Sequence, residues 1–123
     1  HIHVDFQLPE PALDLLKSRT REHHLSFARG GSASVLAPGQ RDPALFEAEI
    51  IFGQPAPDDL LQSSAVRLVQ ISSSGISRYD TPDFREAAAR KGIQLCNSAH
   101  VFNRACADHL FAFLLAQSRQ LPL

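Results

Sequence analysis

Residues 67–96, RLVQISSSGISRYDTPDFREAAARKGIQLC, hold a complete strand–helix–strand unit, and their reading decides the class of fold. Arg67-Leu-Val-Gln-Ile71 is an apolar run of strand length. Thr81-Pro82-Asp83 is a helix start: a capping hydroxyl, a proline at the first helical position and an acid near the positive end of the dipole. Phe84, Ala87 and Ala88 supply a buried stripe, and Arg90-Lys91-Gly92 is a matching stop. Ile93-Gln-Leu-Cys96 reads as the next strand, so the helix bridges two strands of one sheet.

The same alternation extends outward. Ile2-His-Val-Asp-Phe6 is a first strand ended by Pro9 and Pro11, followed by a helix that places Ala12, Leu15 and Leu16 at helical spacing. His24-Leu-Ser-Phe-Ala28 is a second strand, and Arg29-Gly-Gly-Ser-Ala-Ser34 is turn-rich. Asp42-Pro43 reads as a cap and first-turn proline for a short helix through Ala48. Glu49-Ile-Ile-Phe52, closed by Gly53, is a third strand, and Pro57-Asp-Asp-Leu-Leu61 opens another helix. Strands alternating with helices predict an α/β fold: a doubly wound, five-stranded parallel sheet in the order 2-1-3-4-5, covered on both faces.

A last helix is predicted from about Asn103 to Arg119. Every residue from Leu110 to Ala116 is apolar, so over two turns this helix has no polar face and must be covered all round. A five-stranded sheet covers one side of it. A second domain beyond Leu123, or a partner subunit, is expected to cover the other.

With 123 residues the chain fits one domain and can bury a conventional core. Its 12 basic and 13 acidic residues form no run of like charge, which excludes the footprint expected of a nucleic-acid or membrane-surface binder. Two cysteines are too few for a disulfide framework, and no signal peptide opens the chain, so a cytoplasmic setting is expected. The longest apolar run is far shorter than the roughly 20 residues of a membrane span. Methionine is absent even at position 1, so the chain is expected to be trimmed or cut from something longer.

In an open parallel sheet, ligands bind outside the carboxyl ends of the strands. Ser72–Ser77 and Asn97–Phe102 both fall at that edge. Three serines and Gly75 can turn successive N–H groups towards an anion and let it approach the backbone; the bland alternative is an ordinary strand-to-helix connection. No G-x-S-x-G elbow accompanies the serines, which argues against a nucleophile. Cys96, His100, Cys106 and His109 can be written as a metal motif, but their spacing is poor for zinc, and no metal is expected. His109 reads as a packing or interface histidine rather than a general base. Arg78, Tyr79 and Asp80, beyond the serine loop, read either as lining the crevice or, the blander alternative, as a solvated turn. His1, His3, His23 and His24 form no useful spacing. No G-x-G-x-x-G and no P-loop is present, so the chain holds no dinucleotide or ATP site of its own.

From about Glu49 the sequence resembles the D-isomer-specific 2-hydroxyacid dehydrogenases, in the first part of their substrate-binding domain. The residues that carry the resemblance are 48–53 (AEIIFG), 68–80 (LVQISSSGISRYD), 90–93 (RKGI), Asn97-Ser98, and 105–109 (ACADH) with the apolar helix and 115–122 (LAQSRQLP) after it. Ser77 stands where the family usually has Asp, and Asp108 where it usually has Glu.

The resemblance implies a flavodoxin-like substrate-binding domain over residues 1–102. Residues 103–123 would then be an interdomain helix leading to a Rossmann domain that binds NAD or NADP. It implies that Ser73, Ser74 and Gly75 grip the carboxylate of a small 2-keto or 2-hydroxy acid, and that Phe102 and Asn103 lie in a loop facing the cofactor. The family's catalytic arginine, acid and histidine come from later in the chain. None is present here, so the fragment alone is expected to be inactive and the full-length parent a homodimeric oxidoreductase.

The competing expectation is a free-standing regulatory or interaction module that dimerises through its last helix. A receiver would want an acidic cluster at the ends of the first and third strands. Only Asp5 is so placed, and Phe52-Gly53 offers no phospho-acceptor.

Overall fold

A computed structural model describes residues 1–30 and 41–121. The five strands are β1 (Ile2–Val4), β2 (Leu25–Phe27), β3 (Ile50–Gly53), β4 (Leu68–Ile71) and β5 (Gln94–Cys96), and the helices are α1 (Glu10–Arg19), α2 (Pro57–Gln62), α3 (Pro82–Lys91) and α4 (Ala99–Ser118). All strand pairs are parallel and the order is β2-β1-β3-β4-β5, as the alternation of elements predicts. The turn-rich stretch after Arg29 lies, from residue 31, outside the described residues, as does the proline stop at 122.

Local chemistry accounts for the element ends. Thr81 caps α3 by accepting the Phe84 N–H on its hydroxyl, and Gly92 ends the helix with φ of 70°, a left-handed conformation that glycine adopts without Cβ strain. Asp42 accepts the Ala44 N–H at 2.9 Å and caps the expected short helix, which is a 3-10 helix, Pro43–Glu47, with Ala48 as its C-cap.

The sheet is covered unequally. Chain direction along the sheet reverses after β2, so right-handed crossovers put α1 on one face and the later connections on the other. On the second face Ile51, Val69 and Ile71 lie under Leu45, Leu60, Phe84, Ala88 and Ile93 in one continuous apolar core. The first face is only partly covered: Ile50, Phe52, Leu68 and Gln70 remain half-buried, and neither α1 nor α4 has a buried residue. The expected cover of both faces is therefore met only in part among the described residues.

The last helix differs from expectation in both extent and packing. It begins at Ala99, one turn earlier than predicted, so Phe102 and Asn103 lie within α4 and not in a loop. The Ser98 side chain makes no capping bond at its start; the Ala99 N–H donates instead to the Asn97 side-chain oxygen at 3.4 Å. Its apolar residues face outward: Leu110, Phe111, Phe113, Leu114 and Leu115 are all exposed. Among the described residues no helix is long and apolar enough to cross a membrane.

Candidate functional site

The carboxyl edge of the sheet gathers four strand ends around the serine loop. Asp5 follows β1, Gln54 follows β3, Ser72–Ile76 follow β4 and Asn97-Ser98 follow β5. Parallel registration brings these ends to one edge, because β1 pairs with β3, β3 with β4 and β4 with β5.

The loop's carbonyl groups are occupied by the protein. Ser98 donates its N–H to Ser73 O at 3.0 Å, Asn97 donates its side-chain amide to Ser74 O at 2.9 Å, and the Ser73 hydroxyl donates to Gly75 O at 2.9 Å. Ser98 also donates its hydroxyl to Ile71 O at 2.9 Å. The loop's N–H groups are disposed differently. Ser72 donates to Gly53 O at 3.1 Å, but the N–H groups of Ser73, Ser74 and Gly75 donate to no described residue. Ser74 and Gly75 are exposed. A loop with satisfied acceptors and unengaged donors favours an anionic ligand over a cationic one.

Gly75 does not have the left-handed backbone that the nest reading would use, since the described glycines with positive φ are Gly53 and Gly92. A Cβ at Gly75 would meet nothing within 4 Å. Neither backbone strain nor a protein neighbour demands glycine there.

Behind the loop lies a buried polar layer that sequence reasoning did not single out as part of the site. Asp5 is 3% exposed and accepts the Gln54 backbone N–H with both carboxylate oxygens, each at 2.8 Å. Burial pushes its carboxyl up to about 6, against the opposing pull of the Gln54 N–H and the Arg78 charge. Gln54, itself buried, donates its side-chain amide to the hydroxyls of Ser73 at 2.8 Å and Ser72 at 3.2 Å. Gly53 has φ of 150°, and a Cβ there would overlap the Asp5 carboxylate. The usable signal was position: Asp5 and Gln54 each follow the last residue or two of a strand, at the edge where ligands bind.

Tyr79 belongs to the same layer rather than to a solvated turn. It is 3% exposed, donates its hydroxyl to Pro55 O at 2.7 Å, and is pushed up to about 12 by burial. The Arg78 guanidinium lies 6.0 Å from the Tyr79 ring centre. Asp80 is exposed and pairs with Arg85.

The structure joins Ser73 to Ser98, Ser74 to Asn97 and Gly75 to Ser73, while Phe102 and Asn103 continue along α4, both exposed. Cys96 is exposed on β5; His100, Cys106 and His109 lie along α4, where the His109 ring meets Phe113 edge-on at 4.6 Å. Among the described residues no three His, Cys, Asp or Glu side chains form a metal-holding group. Concave volumes also open on the surface away from the loop's carbonyl contacts. One of about 520 Å3 opens beyond β2 beside Ala28, Arg29 and Pro43, and one of about 260 Å3 runs between Ile76, Phe84, Ala88 and Leu95.

No family model, no curated protein and no solved structure matches this chain.

Proposed function

We propose that this chain is the substrate-binding unit of an NAD(P)-dependent D-2-hydroxyacid dehydrogenase, and that its serine loop binds the carboxylate of a small 2-keto or 2-hydroxy acid. The observation that carries the reading is the asymmetry of the loop. The carbonyls of Ser73, Ser74 and Gly75 are consumed by the protein, whereas their three N–H groups donate to no described residue. Backbone donors hold a carboxylate without introducing a titrating group, and the absence of bulky side chains lets the ligand approach them. The resemblance over residues 49–123 supplies the substrate class.

No stretch of the 123 residues fits a dinucleotide, since G-x-G-x-x-G is absent. The nicotinamide cofactor, NAD or NADP, and the groups that polarise the keto oxygen and move a proton are therefore assigned to a nucleotide-binding unit outside this sequence. In this reading the protein works in the cytoplasm. The chain's own contribution is to bind and orient the acid.

The test is a titration of the isotopically labelled chain with hydroxypyruvate, followed by amide resonances. Saturable shifts confined to Ser73, Ser74, Gly75 and their neighbours are expected, with no NADH oxidation above the buffer rate. Unmoved loop amides at high millimolar ligand would sink the carboxylate reading; steady turnover would sink the assignment of catalysis to another unit.

A second reading rests on α4, whose residues Leu110, Phe111, Leu114 and Leu115 are more than half exposed. An apolar surface of that kind marks an interface. In the dehydrogenase reading the helix packs against the nucleotide-binding unit and a second subunit; in the alternative it is the dimer contact of a free-standing module. Hydroxypyruvate binding separates the two.

A further inference from the structure

We propose that Gln54, anchored by Asp5, is the positioning residue that holds the serine loop in place through the Ser73 hydroxyl. This inference rests on the reading of that loop as the ligand-binding loop.

The geometry determines which way the Gln54 amide faces. The Ser73 hydroxyl donates its one proton to Gly75 O at 2.9 Å, so towards Gln54 it can only accept. That places the Gln54 nitrogen against the loop. Its two protons reach two hydroxyls, those of Ser73 at 2.8 Å and Ser72 at 3.2 Å. The chain of donors therefore runs in one direction, from Gln54 to Ser73 to the carbonyl of Gly75. With its carbonyl turned inward to receive that bond, the peptide on the far side of Gly75 is fixed at one end. The Ser98 and Asn97 contacts fix the two peptides before it.

Asp5 fixes the other end of the chain. Its carboxylate takes the Gln54 backbone N–H at 2.8 Å on each oxygen, and Gly53 keeps the approach open, because any Cβ there would occupy the carboxylate's place. Gln54 therefore has its backbone held from β1 while its side chain reaches over β4. The side chain can be removed without touching the Asp5 contact, which is made through the main chain.

The experiment compares Gln54→Ala, Ser73→Ala and the double variant in the full 123-residue chain. Ser73→Ala keeps the backbone N–H that would meet the ligand and loses only the hydroxyl. In the ligand-free chain, amide order parameters at Ser73, Ser74 and Gly75 are expected to fall from the rigid range near ~0.85 towards ~0.6 in Gln54→Ala, while the strand amides stay rigid. Hydroxypyruvate affinity is expected to fall about tenfold in each single variant and no further in the double, because both changes cut one chain of hydrogen bonds. Unchanged loop order parameters in Gln54→Ala, or losses that add in the double variant, would overturn the proposal. If the wild-type chain binds no hydroxypyruvate, the carboxylate reading fails, and the ligand-free order parameters still decide whether Gln54 positions the loop.

Discussion

His3 on the first strand and Asp5 just after it are both buried and answer acid in opposite ways. The Asp5 carboxyl rises from 3.8 to about 6 through burial, so its folded form binds a proton more readily than its unfolded form. Its contribution to stability is fully present below pH 3.8 and is lost as the pH rises through about 6. Replacing Asp5 with Asn, which keeps an acceptor for the Gln54 N–H, is therefore expected to raise stability at pH 8 by about 1–3 kcal/mol and to change little near pH 4, as denaturant unfolding at the two pH values would show. His3 is fully buried, with Nδ1 held to the Ser26 hydroxyl at 2.9 Å, and burial lowers its pKa against the pull of Asp42. Its contribution is present above pH 6.5 and is lost on acidification below it. The wild-type pH profile is then flatter than either group alone would make it, and Asp5→Asn should expose the loss due to His3. The two site glycines should also part company. Gly53→Ala, with positive φ and no space, is expected to cost about 3 kcal/mol or more. Gly75→Ala, with open space and no positive φ, should leave stability within about 0.5 kcal/mol while weakening hydroxypyruvate binding. A glycine's role was thus not legible from its type: both precede or lie in a polar loop, and only the neighbouring Asp5 carboxylate distinguishes them.

At the scale of elements, capping residues were the most legible part of the chain. Thr81, Pro82 and Gly92 bound α3 where their local chemistry puts its ends, since a cap bonds to residues two or three away and needs no tertiary context. Thr81→Ala is expected to cost about 1 kcal/mol in thermal or denaturant unfolding. The start of α4 was not legible. Asn97 and Ser98 look like loop residues, and in the structure they are drawn onto Ile71, Ser73 and Ser74 of another strand end, which lets the helix begin at Ala99. That shift moves Phe102 and Asn103 from a loop into the helix. Short strands were read one or two residues too long at their ends, at Asp5-Phe6 for example, where the chain leaves the sheet to build the site.

For the whole molecule, the unequal cover of the sheet has a measurable consequence. One face holds the continuous core under α2 and α3, the other is only partly covered, and neither α1 nor α4 has a buried residue. Apolar surface of this extent associates in water. The chain is expected to self-associate at micromolar concentration, and Phe111→Glu with Leu114→Glu should shift sedimentation towards the monomer while leaving the unfolding midpoint of that monomer within about 1 kcal/mol, because both side chains are exposed. A monomer before and after substitution would refute the assignment of α4 as an interface. The sequence by itself determined the alternation of strands and helices, hence the parallel sheet and its order, because hydrophobic period, capping and crossover handedness are local or nearly local constraints. It also located the serine loop at the carboxyl edge. Only the tertiary structure decided that the loop's carbonyls are consumed while its N–H groups donate to no described residue, that Asp5 and Gln54 stand behind it, and that α4 leaves the sheet uncovered. Those facts depend on residues from four strands meeting at one edge, and contacts between distant parts of the chain leave no periodic trace in its sequence.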